Sequence, residues 1–225
     1  MKTLVKILSI IILTGCNKYP AKHLIKVPSI NYSHDQSILK TNGYYRFKYV
    51  SEGGNCYINY GSKPQTKKVF YNIKQIKTIV LYNNGAAYHS GRNGYSNAIN
   101  YEDCIFLDSL NTYEQLEANF ENRAIKSGLN LEEDYGWYDT GVFSINKDEI
   151  TIQIFHGAGW VQAGSSVLEY RGQIVNNQLI RIKQIKNLED DSIDFVNMDF
   201  EFKEFDGIQP VNNYILRNRE KFGMK

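Results

Sequence analysis

Few residues of this chain have side chains that could do chemistry. The three cysteines, Cys16, Cys56 and Cys104, stand far apart, and none belongs to a Cys-x-x-Cys pair. The sequence also lacks the Gly-x-Ser-x-Gly turn of serine hydrolases, the His-Glu-x-x-His zinc pair and the phosphate-binding loop. His89 and His156 have no second His or Cys at ligand spacing. We therefore expect no catalytic residue, no metal site and no cofactor.

Cys16 follows a segment with the pattern of a signal peptide. Lys2 and Lys6 form a basic start, and residues 7–13 are apolar apart from one serine. That run is far shorter than the ~20 apolar residues that span a bilayer. The tetrapeptide Leu-Thr-Gly-Cys at residues 13–16 resembles the lipobox of bacterial lipoproteins, where an aliphatic residue and small residues precede an obligatory cysteine.

The resemblance implies that the Cys16 thiol carries diacylglycerol, that residues 1–15 are removed, and that acyl chains such as palmitate anchor the protein. Two or three chains hold a protein firmly, whereas a single one holds it marginally. In Gram-negative sorting an Asp after the cysteine retains a lipoprotein in the inner membrane, so Asn17 favours the outer membrane. The alternative is an ordinary secretory signal in which Cys16 is incidental.

The overall charge argues against binding to nucleic acid. Lys2 and Lys6 are two of the 26 basic residues, and removing them leaves as many basic as acidic side chains, of which there are 24. No basic footprint for phosphates remains. Residues 16–40 contain Pro20 and Pro28 and no sustained period, which predicts a tether. A folded domain over residues 41–210 and a tail over 211–225 complete the predicted organisation.

The domain reads as antiparallel strands interrupted once by a helix. Aromatic residues make up 13% of the chain and favour strands. Thr112 begins a capping box with Gln115, and an apolar stripe leads to a stop at Gly128, which predicts a helix. Ten β-rich segments, 43–50, 56–60, 69–73, 77–82, 86–88, 141–145, 150–156, 167–175, 179–185 and 196–202, are expected to form eight or nine strands.

Such strands must pack as a sandwich or close into a barrel, and closure is favoured because it hides both sheet edges. The fold class is therefore mainly β, an antiparallel up-and-down barrel of about eight strands with one inserted α-helix. The order of these elements resembles that of small lipocalin-like envelope lipoproteins. The motifs carrying the resemblance are Val-Leu-Tyr-Asn-Asn-Gly at 80–85, Trp-Tyr-Asp-Thr-Gly-Val-Phe-Ser-Ile at 137–145 and Glu-Tyr-Arg-Gly at 169–172.

Aromatic residues and one histidine are candidates for the rim of a barrel-mouth cavity, although aromatic residues in a barrel commonly serve as core packing. These candidates are Trp137, Tyr138, His156, Trp160 and Tyr170.

Cys56 and Cys104 are candidates for a disulfide, because an exported domain lies in an oxidising compartment. Two reduced, buried thiols are the alternative.

Three classes of function follow from these features. The first is a lipid-anchored binding module for a small apolar ligand, held at the membrane of the cell envelope. The second is an interaction protein, such as an inhibitor, immunity factor or accessory subunit, that contacts an envelope protein through loops 89–110 and 157–166. An enzyme is the weakest reading. An apolar cavity of several hundred Å³ would favour the first class. A filled barrel with an exposed apolar patch would favour the second.

Overall fold

The structure is a computed structural model that describes residues 38–60, 63–90, 112–127, 140–157 and 165–208. For residues 51–73, 126–127, 156–157 and 165–166 it describes the backbone only. The described residues form eight strands and one helix: β1 (Gly43–Tyr60), β2 (Lys63–Leu81), β3 (Ala86–His89), α1 (Tyr113–Ser127), β4 (Thr140–Asn146), β5 (Glu149–Gly157), β6 (Ser165–Asn176), β7 (Leu179–Asn187) and β8 (Ile193–Glu204).

The strands form a closed antiparallel barrel. Each strand pairs with the next along the chain, and β8 returns to pair with β1. This confirms the predicted mainly-β class, the up-and-down barrel of eight strands and the single inserted helix. The order requires only hairpin connections, apart from the β3–β4 connection that contains α1.

The first two strands are longer than the sequence predicted. The break expected between segments 43–50 and 56–60 is wrong, because β1 continues through Gly53 and Gly54 with only a register shift between Glu52 and Gly54. Segments 69–73 and 77–82, predicted as separate runs, are parts of the single strand β2. Glycine accommodates a bulge without ending a strand, so a Gly-Gly pair between two β-rich runs does not require a turn.

Period-2 alternation sorts the strands into an inner and an outer face. The inner face fills the barrel with a buried cluster: Leu39, Tyr45, Ile79, Leu81, Ala87, Phe143, Ile150, Ile152, Ile154, Leu168, Tyr170, Ile174, Ile180, Ile182, Met198, Phe200 and Phe202. The predicted apolar faces of β5 and β8 both belong to it. Leu39, which the sequence analysis placed in the tether, also packs there.

The helix α1 covers part of the outer face. Its buried residues Leu116, Phe120 and Ala124 pack on a second cluster, which includes Tyr44, Ile76, Val80, Tyr82, Ala86, Tyr88, Val142, Phe155 and Val167. The capping box is present as predicted. The Thr112 hydroxyl accepts a hydrogen bond from the Gln115 amide at 3.2 Å, and the Gln115 side-chain oxygen accepts one from the Thr112 amide at 3.0 Å. Among the described residues, no helix combines the length and apolarity that crossing a membrane requires.

Candidate functional site

The barrel has two different ends. At the turn end, short connections join β2 to β3, β4 to β5 and β6 to β7, and Gly85 and Lys147 adopt positive φ values of 85° and 59° to make two of these turns tight. The opposite, loop end carries the connections from β3 to β4 and from β5 to β6, together with the β7–β8 turn. Any site built from long connections therefore belongs to the loop end.

The barrel interior is packed with large side chains. Tyr45, Phe143 and Phe200 are each at most 1% exposed, and isoleucines from four strands fill the space between them. At the loop end a recess of about 150 Å³ remains. Ligand pockets usually measure roughly 300–1,000 Å³, so this recess admits only a very small molecule.

Tyr170 is the one predicted rim residue whose side chain the structure describes. It is 4% exposed and stacks on the ring of His89, with 5.0 Å between the ring centroids. It therefore forms part of the inner wall of the recess. The lining residues are Lys77, Leu168, Tyr170, Ile185, Asn187, Ser192 and Asp194. The sequence analysis did not identify Lys77 and Asp194, because a charged residue in a strand is ordinarily assigned to the outer face of a barrel, whereas these two line the recess.

The other predicted residues are placed in part or lie outside the described residues. The backbone of His156 lies near the end of β5, opposite Ser166, and so at the loop end. Trp137, Tyr138, Trp160, Cys16 and Cys104 lie outside the described residues. The backbone of Cys56 pairs with that of Lys67 on the neighbouring strand. The Cys56–Cys104 disulfide stays a prediction.

A larger groove of about 420 Å³ lies on the outer face of β5, β6 and β7. Its charged and amide side chains contact one another. The Gln173 amide donates to Asp148 at 2.7 Å, and the Lys183 ammonium donates to the Gln173 oxygen at 3.3 Å. A groove with this polar lining does not suit an apolar ligand. Among the described residues, no three His, Cys, Asp or Glu side chains are grouped to hold a metal ion.

An ionic cluster joins α1 to the barrel wall. The Glu117 carboxylate, whose side chain is 6% exposed, lies 2.5 Å from Arg46, 3.0 Å from Lys48 and 2.8 Å from Lys203. Glu121 pairs with Lys203 at 2.7 Å and accepts a hydrogen bond from the Tyr44 hydroxyl at 2.8 Å. These contacts link the helix to β1 and β8 at once.

The charges of the cluster set the pKa of its carboxylate. Burial alone would raise the pKa of Glu117, but hydrogen bonds from Lys203 and Lys48 and the charge of Arg46 hold it below its ordinary value. Glu117 is thus ionised and paired at neutral pH. This arrangement is that of a structural clamp, since an acid–base catalyst needs a pKa near the working pH. One sequence feature could have identified Glu117 as a residue that faces the barrel. It lies four residues after Tyr113, on the helix face that carries the apolar stripe.

This ionic cluster, the Glu117 cluster, lies beside the line where β1 and β8 meet, which we call the seam. The register joins Gly43 with Glu204, Tyr44 with Lys203, Tyr45 with Phe202 and Arg46 with Glu201, and ends there. Toward the loop end both strands continue, β1 to Tyr60 and β8 back to Ile193, without further pairing between them in the described register. Among the residues that the structure describes, the seam is therefore closed (paired) at the turn end and open (unpaired) at the loop end.

Exposed apolar side chains lie on both strands that border the open part of the seam. Phe195 on β8 is 84% exposed, Ile193 is 45% exposed, and Val50 on β1 is 50% exposed. Sequence reasoning missed Phe195. Its position in the strand could have identified it. By period-2 alternation Phe195 lies on the outward face with Asn197, Asp199 and Glu201, where polar residues are expected and a phenylalanine is unusual.

No protein-family model matches the chain, and neither the curated proteins nor the solved structures contain a significant match.

Proposed function

We propose that this chain is a lipid-anchored protein of a Gram-negative cell envelope, held at the outer membrane, whose barrel is a non-enzymatic protein-interaction module. The lipobox-like segment ending at Cys16 supports the anchor. Exposure of Phe195 at the loop end, on a barrel with a filled interior, supports the interaction role. A phenylalanine held in water by a rigid strand costs solvation free energy, and contact with a partner recovers it.

The filled interior is the reason to prefer this function over the carriage of an apolar ligand. A carrier needs an enclosed apolar volume, and the described inner face instead contains a continuous cluster of aromatic and aliphatic side chains. The loop end combines a rim of exposed apolar residues with connections long enough to vary between partners.

Site-specific photocrosslinking in living cells tests the interaction role. A benzoylphenylalanine in place of Phe195 is expected to give covalent adducts with a protein. The same probe in place of Val175, which is 45% exposed but lies on β6 near the turn end, is the matched control and is expected to give none. If the two probes label alike, or the Phe195 probe labels no protein, the proposed interface is wrong.

The anchor has its own test. The Cys16→Ala variant is expected to lose incorporation of labelled fatty acid and to leave the detergent phase on partitioning. A variant that keeps both properties would refute lipidation at Cys16.

A small-molecule site is the second candidate, favoured by Tyr170, which lines the recess and stacks on the ring of His89. Its volume of about 150 Å³ limits the ligand to a few non-hydrogen atoms. Native mass spectrometry of the protein purified from its own envelope would show a small added mass that disappears in a Tyr170→Ala variant. A polypeptide mass with lipid alone would eliminate this candidate.

A further inference from the structure

The open part of the seam exposes two strand edges. From Val50 onward β1 pairs with β2 on one side only, and from Ile193 to Phe200 β8 pairs with β7 on one side only, among the residues that the structure describes. Backbone amides and carbonyls on an unpaired edge form hydrogen bonds readily with an added strand. Both edges border the same opening, so one inserted strand could satisfy either of them.

The β1 edge belongs to a two-stranded segment that we call the arm. Residues 51–60 of β1 pair with residues 63–73 of β2, while β2 pairs with β3 only from Ile79 to Leu81. Among the described residues, the arm is therefore a ribbon with no third strand. A ribbon of two strands is marginally stable alone in water, and stable ones gain a third strand or a packed face.

The two edges of the arm differ in how they are protected. Proteins block strand edges against pairing with lysine and proline. The outer strand β2 carries Lys63, Pro64, Lys67, Lys68 and Lys74, whereas residues 50–60 of β1 contain no lysine and no proline. Residues 193–200 of β8 contain neither. The sequence thus blocks the β2 edge and leaves the two edges at the seam available for pairing.

The charges around the opening suit a second copy of the chain. The arm carries three lysines of β2, Lys63, Lys67 and Lys68, against one acidic residue, Glu52. The β7–β8 turn and the start of β8 carry Glu189, Asp190, Asp191 and Asp194, all exposed. An arm that reached across to another copy would bring its basic β2 strand to that copy's acidic turn.

We propose that the open seam is a self-association site, in which two copies exchange arms about a twofold axis. The β1 edge of each arm adds as a strand to the seam of the other copy, beside Val50 and Phe195. This contact is isologous, so it closes at two copies and exposes no new edge for a third. It covers the exposed apolar side chains of both strands and pairs backbone groups that otherwise face water.

This inference rests on the proposed function, because it identifies the partner at the loop end. Native mass spectrometry of the full processed lipoprotein, released from detergent micelles under reducing conditions, tests it. The wild type is expected to give the mass of two chains. In a twofold dimer, Val50→Lys or Phe195→Lys adds one lysine from each copy to the contact. Each substitution is therefore expected to raise the dimer dissociation constant by at least about tenfold. Val175→Lys at the turn end is the control and is expected to leave it unchanged.

Raising the ionic strength is also expected to weaken the dimer, since opposite charges contribute to the contact. Thermal unfolding of each variant shows whether the barrel remains intact, which is expected because both substituted side chains are at least half exposed. A wild type that is monomeric at all concentrations, or a dimer that survives both substitutions unchanged, would overturn the proposal. Adducts from the Phe195 probe to a different protein only would also overturn it and leave the proposed function standing.

Discussion

The two halves of the β1–β8 seam are built from the same two strands and differ in almost every physical respect. At the turn end, four residue pairs join the strands, Tyr45 packs on Phe202 beneath them, and the Glu117 cluster lies over them. At the loop end no pairing joins the described parts of the two strands, and Val50 and Phe195 are exposed to solvent. The closed half provides the stability of the barrel. The open half can be altered at little cost to folding, which is what a binding surface requires.

Two phenylalanines of β8 provide the largest contrast. Phe200 is fully buried in the barrel, and Phe195 is 84% exposed five residues earlier. We expect Phe200→Ala to lower the free energy of unfolding by about 3–5 kcal/mol, because it leaves a cavity in the interior cluster. Phe195→Ala should change it by less than about 0.5 kcal/mol. Urea unfolding of both variants measures the difference. Equal losses would contradict the assignment of Phe195 to a free surface.

Gly43 tests how the closed half depends on close approach of its strands. A Cβ atom added there would collide with the carbonyl oxygen of Lys203 on the opposite strand. Gly43→Ala should therefore force β1 away from β8 and lower the free energy of unfolding by about 3 kcal/mol.

The neighbouring Asn42→Ala is a control for Gly43→Ala. It removes only an exposed hydrogen bond of 2.9 Å to Glu204 and should cost under about 1 kcal/mol. Thermal unfolding that ranked these two variants the other way would show that the closed half tolerates separation of the strands.

The Glu117 cluster makes the stability of the closed half depend on pH. The pKa of Glu117 is lower in the folded protein than its ordinary value of 4.5, so its contribution is complete above that pH and is lost as pH falls through the folded pKa. We expect Glu117→Gln to lower the free energy of unfolding at pH 7 by about 2 kcal/mol, because Arg46 and Lys48 lose this carboxylate and Lys203 keeps only Glu121. The loss should shrink in acid. A difference between wild type and variant that stayed constant from pH 7 to pH 3 would contradict this role.

Asp199 on the outer face of β8 should show the smallest effect. It pairs with Arg181 at 2.6 Å, but both side chains are about two-fifths exposed, and water screens the pair. Asp199→Asn is expected to change the free energy of unfolding by less than about 0.5 kcal/mol. A loss of unfolding free energy as large as that of Glu117→Gln would show that the difference in burial does not determine what the two ion pairs contribute.

The sequence predicted the local elements better than the contacts between distant residues, for a physical reason. Period-2 alternation in β5 and β8 and the capping box at Thr112 are local patterns, and each is present in the structure as predicted. The position of Glu117 among Arg46, Lys48 and Lys203 depends on contacts between residues far apart in the chain, which no local pattern encodes. The separation of β1 from β8 likewise depends on how far two distant strands pair.

The candidate site was predicted only in part. Tyr170 was predicted as a candidate for the rim of a cavity, and that role stays a prediction. Its stacking on His89 depends on the register of the strands around the barrel, which the sequence does not reveal. Phe195 carried a usable signal, an aromatic residue with the parity of the polar face. Whether the interior is filled could not be predicted from the number of strands, because side-chain volumes decide it.

Residue-resolved hydrogen–deuterium exchange along β8 tests the central claim most directly. In dilute protein we predict that the amides of Glu201, Phe202 and Lys203 are all protected, because β8 pairs with β1 there and the Phe202 amide donates to the Gln178 carbonyl at 2.8 Å. From Ile193 to Phe200, only the amides that point toward β7 should be protected, and those that point toward the seam should exchange rapidly. Uniform protection along the whole of β8 in the dilute protein would mean that the seam is closed throughout, and would contradict the account.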